Sequence, residues 1–211
     1  MEEMRQGVDL IVATPHFYAN KVSAHRFLSD RKFAVEQLQS CLAEIENPPQ
    51  VRIGAEIYYF EGISRTDILD NLTIEGTNLL LIEMPFGQWE ERHYQELKSL
   101  IRKRGYRVIL AHVERYHRLQ KEKEIWDAVM RLPLAKQMNA GSFIKDGFLD
   151  RKYRWALNFM KEHEEVLLGT DCHNMSSRQP NMAAGREAIE KALGAERLAQ
   201  ADALAQKLLQ I

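Results

Sequence analysis

Polar or ionisable side chains stand at the C-terminal ends of six short hydrophobic runs in the sequence. At five of these ends the side chain is an imidazole or a carboxylate. Together these groups suit a divalent zinc, manganese or iron ion as ligands. One such residue alone is more often a helix N-cap or a loop residue, but a set drawn from five strands predicts a metal site. The candidate ligands are His16, Glu56, Glu83, His112, Asp171 and His173.

Two arginines lie close to these candidate ligands. Arg115 follows His112 by three positions, and Arg178 follows His173 by five. An isolated arginine more often forms a surface salt bridge, so the inference depends on the neighbouring ligands. Because a guanidinium group binds phosphate oxygens in pairs and a metal activates water, the combination predicts a phosphate ester as substrate.

A different mechanism is open for the same class of substrate. Cys172 and Arg178 have the C-x5-R spacing of phosphatases that use a cysteine thiolate as nucleophile. The five residues between them contain no glycine, although such phosphate loops need backbone N–H groups that converge on the phosphate. This motif also leaves the candidate ligands on the earlier strands unexplained, so it is the weaker hypothesis.

The elements that position these side chains alternate between strands and helices. The six runs predict buried strands at Val8–Ala13, Val51–Ile57, Leu79–Ile82, Val108–Ala111, Ala135–Asn139 and Val166–Leu168. Helical periodicity separates them, and two further helices follow Pro180 with a break at Gly194. Such alternation predicts an α/β fold with parallel strands, either an open doubly wound sheet or a closed barrel whose active site lies at the C-terminal strand ends.

Length and composition exclude several classes of protein. The chain of 211 residues has a net charge of −1, which argues against broad nucleic-acid binding. It has no apolar stretch long enough to span a membrane, no apolar signal-peptide centre near its start, and two cysteines. We therefore expect a single domain over residues 1–211, not embedded in a membrane, in the cytoplasm. His25, His93 and His163 lie in helical stretches and are expected at the surface.

The ordered set of strand ends resembles one known family. It resembles the bacterial tyrosine-protein phosphatases of the polymerase-and-histidinol-phosphatase (PHP) superfamily, which belong to capsule and exopolysaccharide clusters. The likeness runs in the same order over nearly the whole chain, and the ordered set is specific although each short motif is weak. The segments that carry it are Ala13–His16, Gly54–Tyr58, Leu81–Pro85, Ala111–Tyr116, Asn139–Ser142 and Asp171–Asn174.

This resemblance implies a distorted (β/α)7 barrel with up to three divalent metals, most often manganese. The six candidate ligands match family positions, with Glu83 as a bridging carboxylate and Glu56 as the less certain ligand. Arg115 and Arg178 match arginines that hold the phosphate, and Asp171 belongs to the catalytic group. The implied substrate is phosphotyrosine on the tail of a membrane tyrosine autokinase. A metal-activated water would attack phosphorus directly, without a phospho-enzyme.

The sequence departs from the family pattern at its start. Family members begin with a strand carrying His-x-His, whereas Glu2–Gln6 here has the pattern of a last helical turn with Gly7 as its stop. We therefore expect that the first βα unit is missing, that fewer metals bind, and that open strand edges invite homo-oligomers. Two alternative functions follow: an impaired barrel that binds phosphotyrosine as a regulatory module, or a phosphoesterase for a small ester such as histidinol phosphate.

Overall fold

Parallel strands form the centre of the protein. A computed structural model describes residues 2–147 and 150–211. The strands in this part of the chain are β1 (Leu10–Ala13), β2 (His16–Phe17), β3 (Gln50–Ile53), β4 (Glu56–Tyr58), β5 (Leu79–Glu83), β6 (Arg107–Leu110), β7 (Ala135–Asn139) and β8 (Val166–Gly169). All pairings between them are parallel, so the predicted parallel α/β architecture is confirmed.

Helices connect the strands. The α-helices of the described residues are α1 (Glu2–Arg5), α2 (Ala24–Ala43), α3 (Glu91–Arg102), α4 (Lys123–Met130), α5 (Arg151–Glu162), α6 (Met182–Leu193) and α7 (Ala195–Leu209). Their ends follow the capping chemistry of the sequence. Ser23 caps α2 by accepting from the Arg26 N–H, and Asp150 caps α5 by accepting from the Tyr153 N–H.

A short irregular segment interrupts the sheet at two of the predicted strands. The run Val8–Ala13 contains β1, and β2 follows it after Thr14 and Pro15, outside the predicted bounds. The run Val51–Ile57 is divided into β3 and β4 by Gly54 and Ala55. Hydrogen bonds continue across the breaks, because Gly54 N donates to Ala13 O at 2.9 Å and Glu56 N donates to Pro15 O at 3.1 Å. The divided strands therefore run side by side as one continuous pair.

The strand order places the candidate site residues at the C-terminal ends of neighbouring strands. The order is β2-β4-β5-β6-β7-β8, and β1 pairs with β3 in a separate two-stranded sheet. From β4 to β8 each neighbour in the larger sheet is the next strand along the chain, whereas β3 lies between β2 and β4 in the sequence. Because all the strands are parallel, the residues that follow them gather at the same end.

Apolar side chains from both faces of the sheet form the core. The central strand β5 is buried along most of its length, and Leu97 and Leu100 of α3 are fully buried against it and its neighbours. A smaller cluster around Leu79 and Ile109 packs with Leu208 of α7. No helix in the described part of the chain is long and apolar enough to cross a membrane.

A close contact fixes α6 beside the end of β7. Gly185 of α6 packs so tightly on the 3-10 helix Ala140–Phe143 that an added Cβ would lie 2.5 Å from the Ala140 carbonyl oxygen. Arg186 of α6 forms two hydrogen bonds to Asp202 of α7, at 2.6 and 2.8 Å. These contacts hold the loop after β7 between the sheet and the C-terminal helices.

Candidate active site

The first three candidate ligands lie on neighbouring strands. His16 of β2 is in register with Glu56 of β4, and Glu83 is the last residue of β5. Glu56 and Glu83 are buried, and His16 is half-buried. Each of the three offers a ligand atom, and these atoms all lie within 4.8 Å of one another. Two buried carboxylates beside an imidazole fit a divalent cation, because buried carboxylates need a positive partner.

His112 completes this group from the turn after β6. Its Nε2 lies 3.2 Å from Oε1 of Glu56 and 3.2 Å from Oε1 of Glu83. Burial lowers the pKa of His112, but the hydrogen bonds to the two carboxylates outweigh burial and raise the pKa to about 9. A proton on His112 therefore balances the negative charge of the two carboxylates. A divalent cation bound here would displace that proton and balance the same charge. We call His16, Glu56, Glu83 and His112 the carboxylate half of the site.

Two buried ring nitrogens support the fit of this half to a metal. Nδ1 of His16 and Nδ1 of His112 have no hydrogen-bond partner among the described residues. Buried polar atoms without partners are uncommon and cost free energy. Nδ1 of His16 lies 3.6 Å from Oε1 of Glu56, so a cation beside this carboxylate would give that nitrogen a partner. The residues present therefore fit a metal-binding role.

Asp171 is the centre of a second group. Arg115 and Arg178 both donate to Oδ2 of Asp171, whose side chain is buried. Burial disfavours the charged carboxylate, but the two guanidinium groups outweigh burial and lower the pKa of Asp171. The arginine half of the site, which we define as Arg115, Asp171, His173 and Arg178, therefore carries more positive than negative charge.

His173 connects the two halves. Its Nε2 lies 3.1 Å from Nε2 of His16 and 3.0 Å from Nη1 of Arg178. His16 lies on β2 and His173 follows β8, which are the first and last strands of the larger sheet. The two ends of the strand order therefore meet at these two imidazole rings. The six candidate ligands and both arginines thus lie in one continuous cluster, as the sequence predicted for their position.

The loop after β8 holds Arg178 by a local network. Oδ1 of Asn174 accepts hydrogen bonds from the backbone N–H groups of Ser176, Ser177 and Arg178. His173 N also donates to the Arg178 carbonyl at 2.9 Å. This Asx-type turn folds the loop back, so that Arg178 reaches Asp171 although the two are seven positions apart in the chain.

Several residues of the site were not predicted from the sequence. Glu114 is deeply placed, accepts from Ser142 Oγ at 2.8 Å and from Asn139 N at 3.2 Å, and burial raises its pKa. Asn139 in turn donates to Asp171. A polar residue within a buried strand, such as Gln137 of β7, is the one sequence feature that could have indicated this network.

Aromatic side chains border the carboxylate half. The Phe86 ring is 51% exposed and stacks on the His112 ring, with centroids 5.9 Å apart. Tyr18 lies 5.5 Å from the His16 ring and 5.4 Å from Tyr58. Burial, together with the Glu83 and Glu56 carboxylates, raises the pKa of Tyr18, so this phenol stays neutral.

A cavity of about 450 Å³ opens beside the arginine half. Its lining is polar and includes a third cation from the first turn of α5. The charged and amide groups on its wall are Arg115, Asn139, Lys152, Asp171, Arg178, Gln179 and Asn181. A cavity with three cations and one carboxylate suits an anionic ligand.

Cys172 does not have the surroundings of a nucleophilic thiolate. Its Sγ donates to Oε1 of Glu3 at 3.3 Å. Partial burial and this carboxylate raise the pKa of the Cys172 thiol, which is the opposite of what a thiolate mechanism needs.

The surface position expected for three histidines is correct for one and wrong for another. His25 is exposed. His93 is buried, because its Nδ1 accepts from the Glu90 N–H at 2.8 Å and its ring packs on Tyr59. His163 is half-buried at the end of α5 and packs on Phe159.

Comparison with known proteins gives the family of the chain. Residues 1–206 match the family described as "Capsular polysaccharide synthesis, CpsB/CapC". The chain belongs to the CpsB/CapC family. The match covers both halves of the site.

Relatives of the CpsB/CapC chain are similar along most of their length. It is 25% identical over 210 residues to the tyrosine-protein phosphatase CpsB of Streptococcus agalactiae, covering 94% of this chain and 83% of the relative. It is 26% identical over 200 residues to the tyrosine-protein phosphatase YwqE of Bacillus subtilis, covering 92% and 75%. The resemblance seen in the sequence is thereby confirmed.

A solved structure has the same fold. It is described as one of the "crystal structures of YwqE from Bacillus subtilis and CpsB from Streptococcus pneumoniae, unique metal-dependent tyrosine phosphatases". The TM-score is 0.82 at 24% identity, over 99% of this chain and 83% of the solved one. At this level of identity the likeness shows the fold.

Proposed function

We propose that this protein is a metal-dependent tyrosine phosphatase that hydrolyses phosphotyrosine with an activated water. The observation that carries the proposal is the junction of two unlike groups, a buried His/Glu cluster and a pair of arginines, at His173. The first group can hold a metal that activates water, and the second can bind phosphate oxygens. The names of the curated CpsB and YwqE relatives support the choice of tyrosine phosphatase.

The proposed metal ligands are the six predicted from the sequence. His16, Glu56, Glu83 and His112 would hold metal in the carboxylate half, and Asp171 and His173 would hold it from the other side. We propose manganese as the ion, with iron or zinc as alternatives that the same donors accept. When bound, divalent cations activate a water for attack and neutralise phosphate charge.

Arg115 and Arg178 would bind the phosphate. Their forked N–H groups match two oxygens of a phosphate, and Asp171 already draws both guanidinium groups to one place. Preorganised cations at the oxygens where charge gathers stabilise the transition state without a cost of reorganisation. The Asp171 carboxylate would set their orientation and keep their charge in the site.

The aromatic part of the substrate would lie on the opposite side of the phosphate. Phe86, Tyr18 and Tyr58 border the carboxylate half, whereas the wall of the cavity is polar. A phenyl ring gains from contact with such exposed rings. We therefore propose that the phosphotyrosine ring packs near Phe86.

The proposal extends to the architecture of the chain and to its place in the cell. We propose a distorted (β/α)7-type barrel in a single domain over residues 1–211, supported by the contact of His16 with His173 across the ends of the sheet order. We propose a tyrosine autokinase of capsule or exopolysaccharide synthesis as the natural substrate. The free thiols of Cys41 and Cys172 support a cytoplasmic setting, and homo-oligomers remain part of the proposal.

The experiment that tests the function compares substrates on one preparation. Protein loaded with Mn²⁺ is incubated with a phosphotyrosine peptide, the same peptide bearing phosphoserine, and histidinol phosphate, and released phosphate is measured. We expect kcat/KM to be highest for the phosphotyrosine peptide, because only that substrate carries a phenyl ring bonded directly to the phosphate oxygen. Faster hydrolysis of histidinol phosphate would favour a small-ester phosphoesterase, and binding of the phosphotyrosine peptide without hydrolysis would favour a regulatory module.

A further inference from the structure

Two residues of the site have left-handed backbone conformations although neither is a glycine. φ is 32° and ψ is 56° at His112, and φ is 51° at Asp171. A side chain with a Cβ disfavours this region, and such residues persist where the surroundings hold them. The other described non-glycine residues with positive φ, Asn47 and Gln210, lie beyond the ends of helices.

A row of two amide side chains joins these two residues. The His112 N–H donates to Gln137 Oε1 at 2.6 Å, and Gln137 Nε2 donates to Asn139 Oδ1 at 2.9 Å. Asn139 Nδ2 then donates to Asp171 Oδ2 at 3.2 Å. A backbone N–H can only donate and a carboxylate accepts, so the two ends determine the orientation of both amides.

The fold builds this row from one strand. Gln137 and Asn139 are two positions apart on β7, so both side chains point to the same face of the sheet. Glu114 holds the Asn139 backbone from the other side by accepting from its N–H. Gln137 is buried, where an unpaired amide would be costly, and both ends of its amide are bonded.

The neighbouring strand leaves room for the row. Gly169 of β8 is in register with Asn139, and a Cβ at Gly169 would lie 2.6 Å from Nε2 and 3.1 Å from Cδ of Gln137. Any larger residue at position 169 would push the Gln137 amide from its place. Glycine at position 169 therefore leaves the space that the Gln137 amide occupies.

We propose that Gln137 and Asn139 are positioning residues, which hold the His112 main chain and the Asp171 carboxylate in a fixed relative position. They thereby keep the carboxylate half and the arginine half of the site aligned. This inference rests on the proposed function for its effect on catalysis. The hydrogen bonds themselves can be tested without it.

The catalytic test is a double-mutant cycle. Gln137→Ala, Asn139→Ala and the double variant are assayed on a phosphotyrosine peptide, with Asn78→Ala as the matched control. This substitution removes one hydrogen bond, from Asn78 Nδ2 to Gly105 O. Asn78 lies just before β5, at the opposite end of the sheet. We expect each single variant at positions 137 and 139 to lose about 10- to 100-fold in kcat with a smaller change in KM.

The double variant distinguishes a connected row from two separate contacts. If the row acts as a unit, the double variant is no worse than the poorer single variant within about twofold, because the second change breaks a row already broken. Losses that multiply would overturn the proposal. Losses no larger than that of Asn78→Ala would overturn it as well.

A second readout does not depend on activity. Hydrogen exchange of the His112 amide is followed by NMR in the wild type, Gln137→Ala, Gly169→Ala and Asn78→Ala, all free of metal. We expect exchange at His112 to be at least about 10-fold faster in the first two variants and unchanged in the control. Equal protection of His112 in Gln137→Ala would refute the row even in an inactive protein, whereas an inactive wild type with the expected exchange pattern would refute only the proposed function.

Discussion

At the scale of single residues, Arg115 and Arg178 share one acceptor, Oδ2 of Asp171. Removing either guanidinium group leaves the other in place but halves the positive charge offered to a phosphate. The pair lowers the pKa of Asp171 against the effect of burial, so the carboxylate stays charged and keeps both arginines oriented.

The arginine pair leads to a first prediction. Arg115→Ala and Arg178→Ala should each lower kcat/KM for a phosphotyrosine peptide by about 100- to 1,000-fold, because each removes a preorganised cation from the transition state. Lysine at either position should restore little, since it lacks the planar fork. Arg26→Ala on α2, which breaks an exposed ion pair with Asp30, serves as control and should be near normal. Near-normal activity of both alanine variants at positions 115 and 178 would contradict the proposed phosphate site.

Phe86 gives a second prediction at this scale. Phe86→Ala should raise KM for a phosphotyrosine peptide by roughly 2- to 10-fold, because an aromatic contact contributes about 0.5–1.5 kcal/mol. Phe33→Ala removes an equally exposed ring on α2 and should leave KM unchanged. A KM for Phe86→Ala equal to that of Phe33→Ala would mean that the substrate ring lies elsewhere.

The sequence predicted the charged part of the site better than its amide part. Histidines and carboxylates at strand ends stand out because charged groups are rare next to buried runs. Gln137 and Asn139 lie within a strand, and nothing in their spacing shows that they bond to His112 and Asp171. His93 was placed wrongly because its burial depends on a local bond to Glu90.

At the scale of elements, the positions of the strands were readable from the sequence. The predicted strand Ala135–Asn139 has the observed bounds. The breaks between β1 and β2 and between β3 and β4 were not predicted. They depend on hydrogen bonds between distant parts of the chain, such as Glu56 N to Pro15 O, which no local pattern records.

The packing of α6 gives a third prediction. Gly185→Ala should lower the free energy of unfolding by about 1–3 kcal/mol, because the added Cβ would overlap the Ala140 backbone. This cost opposes the gain of about 1 kcal/mol in helix propensity. Gly87→Ala, where a Cβ meets nothing within 4 Å, is the control. Thermal unfolding measures both, and a variant at position 185 more stable than wild type would contradict the described packing.

At the scale of the whole molecule, the site joins residues from both ends of the sheet order. His16 lies on β2 and His173 follows β8, and their Nε2 atoms lie 3.1 Å apart. A metal held across this junction would bind only the folded chain. Metal binding should therefore be coupled to global stability.

This coupling is the fourth prediction. Mn²⁺ at about 100 times its Kd should stabilise the folded protein by about 2.7 kcal/mol. For a domain of this size, that corresponds to a rise in Tm of roughly 5–11 °C. Glu56→Gln should reduce the shift, whereas Glu91→Gln, at the exposed start of α3, should retain it. Equal shifts in the two variants would show that manganese binds away from the carboxylate half.

Phosphotyrosine hydrolysis by this protein should depend on metal and not on Cys172. Phosphate release from a phosphotyrosine peptide is measured with metal-free protein titrated with Mn²⁺, in the wild type and in Cys172→Ser. We expect no turnover after EDTA, recovery with Mn²⁺, and nearly equal rates in both proteins, because Glu3 and partial burial raise the pKa of the Cys172 thiol. Full activity in EDTA together with an inactive Cys172→Ser would contradict metal-dependent hydrolysis and establish a thiolate mechanism.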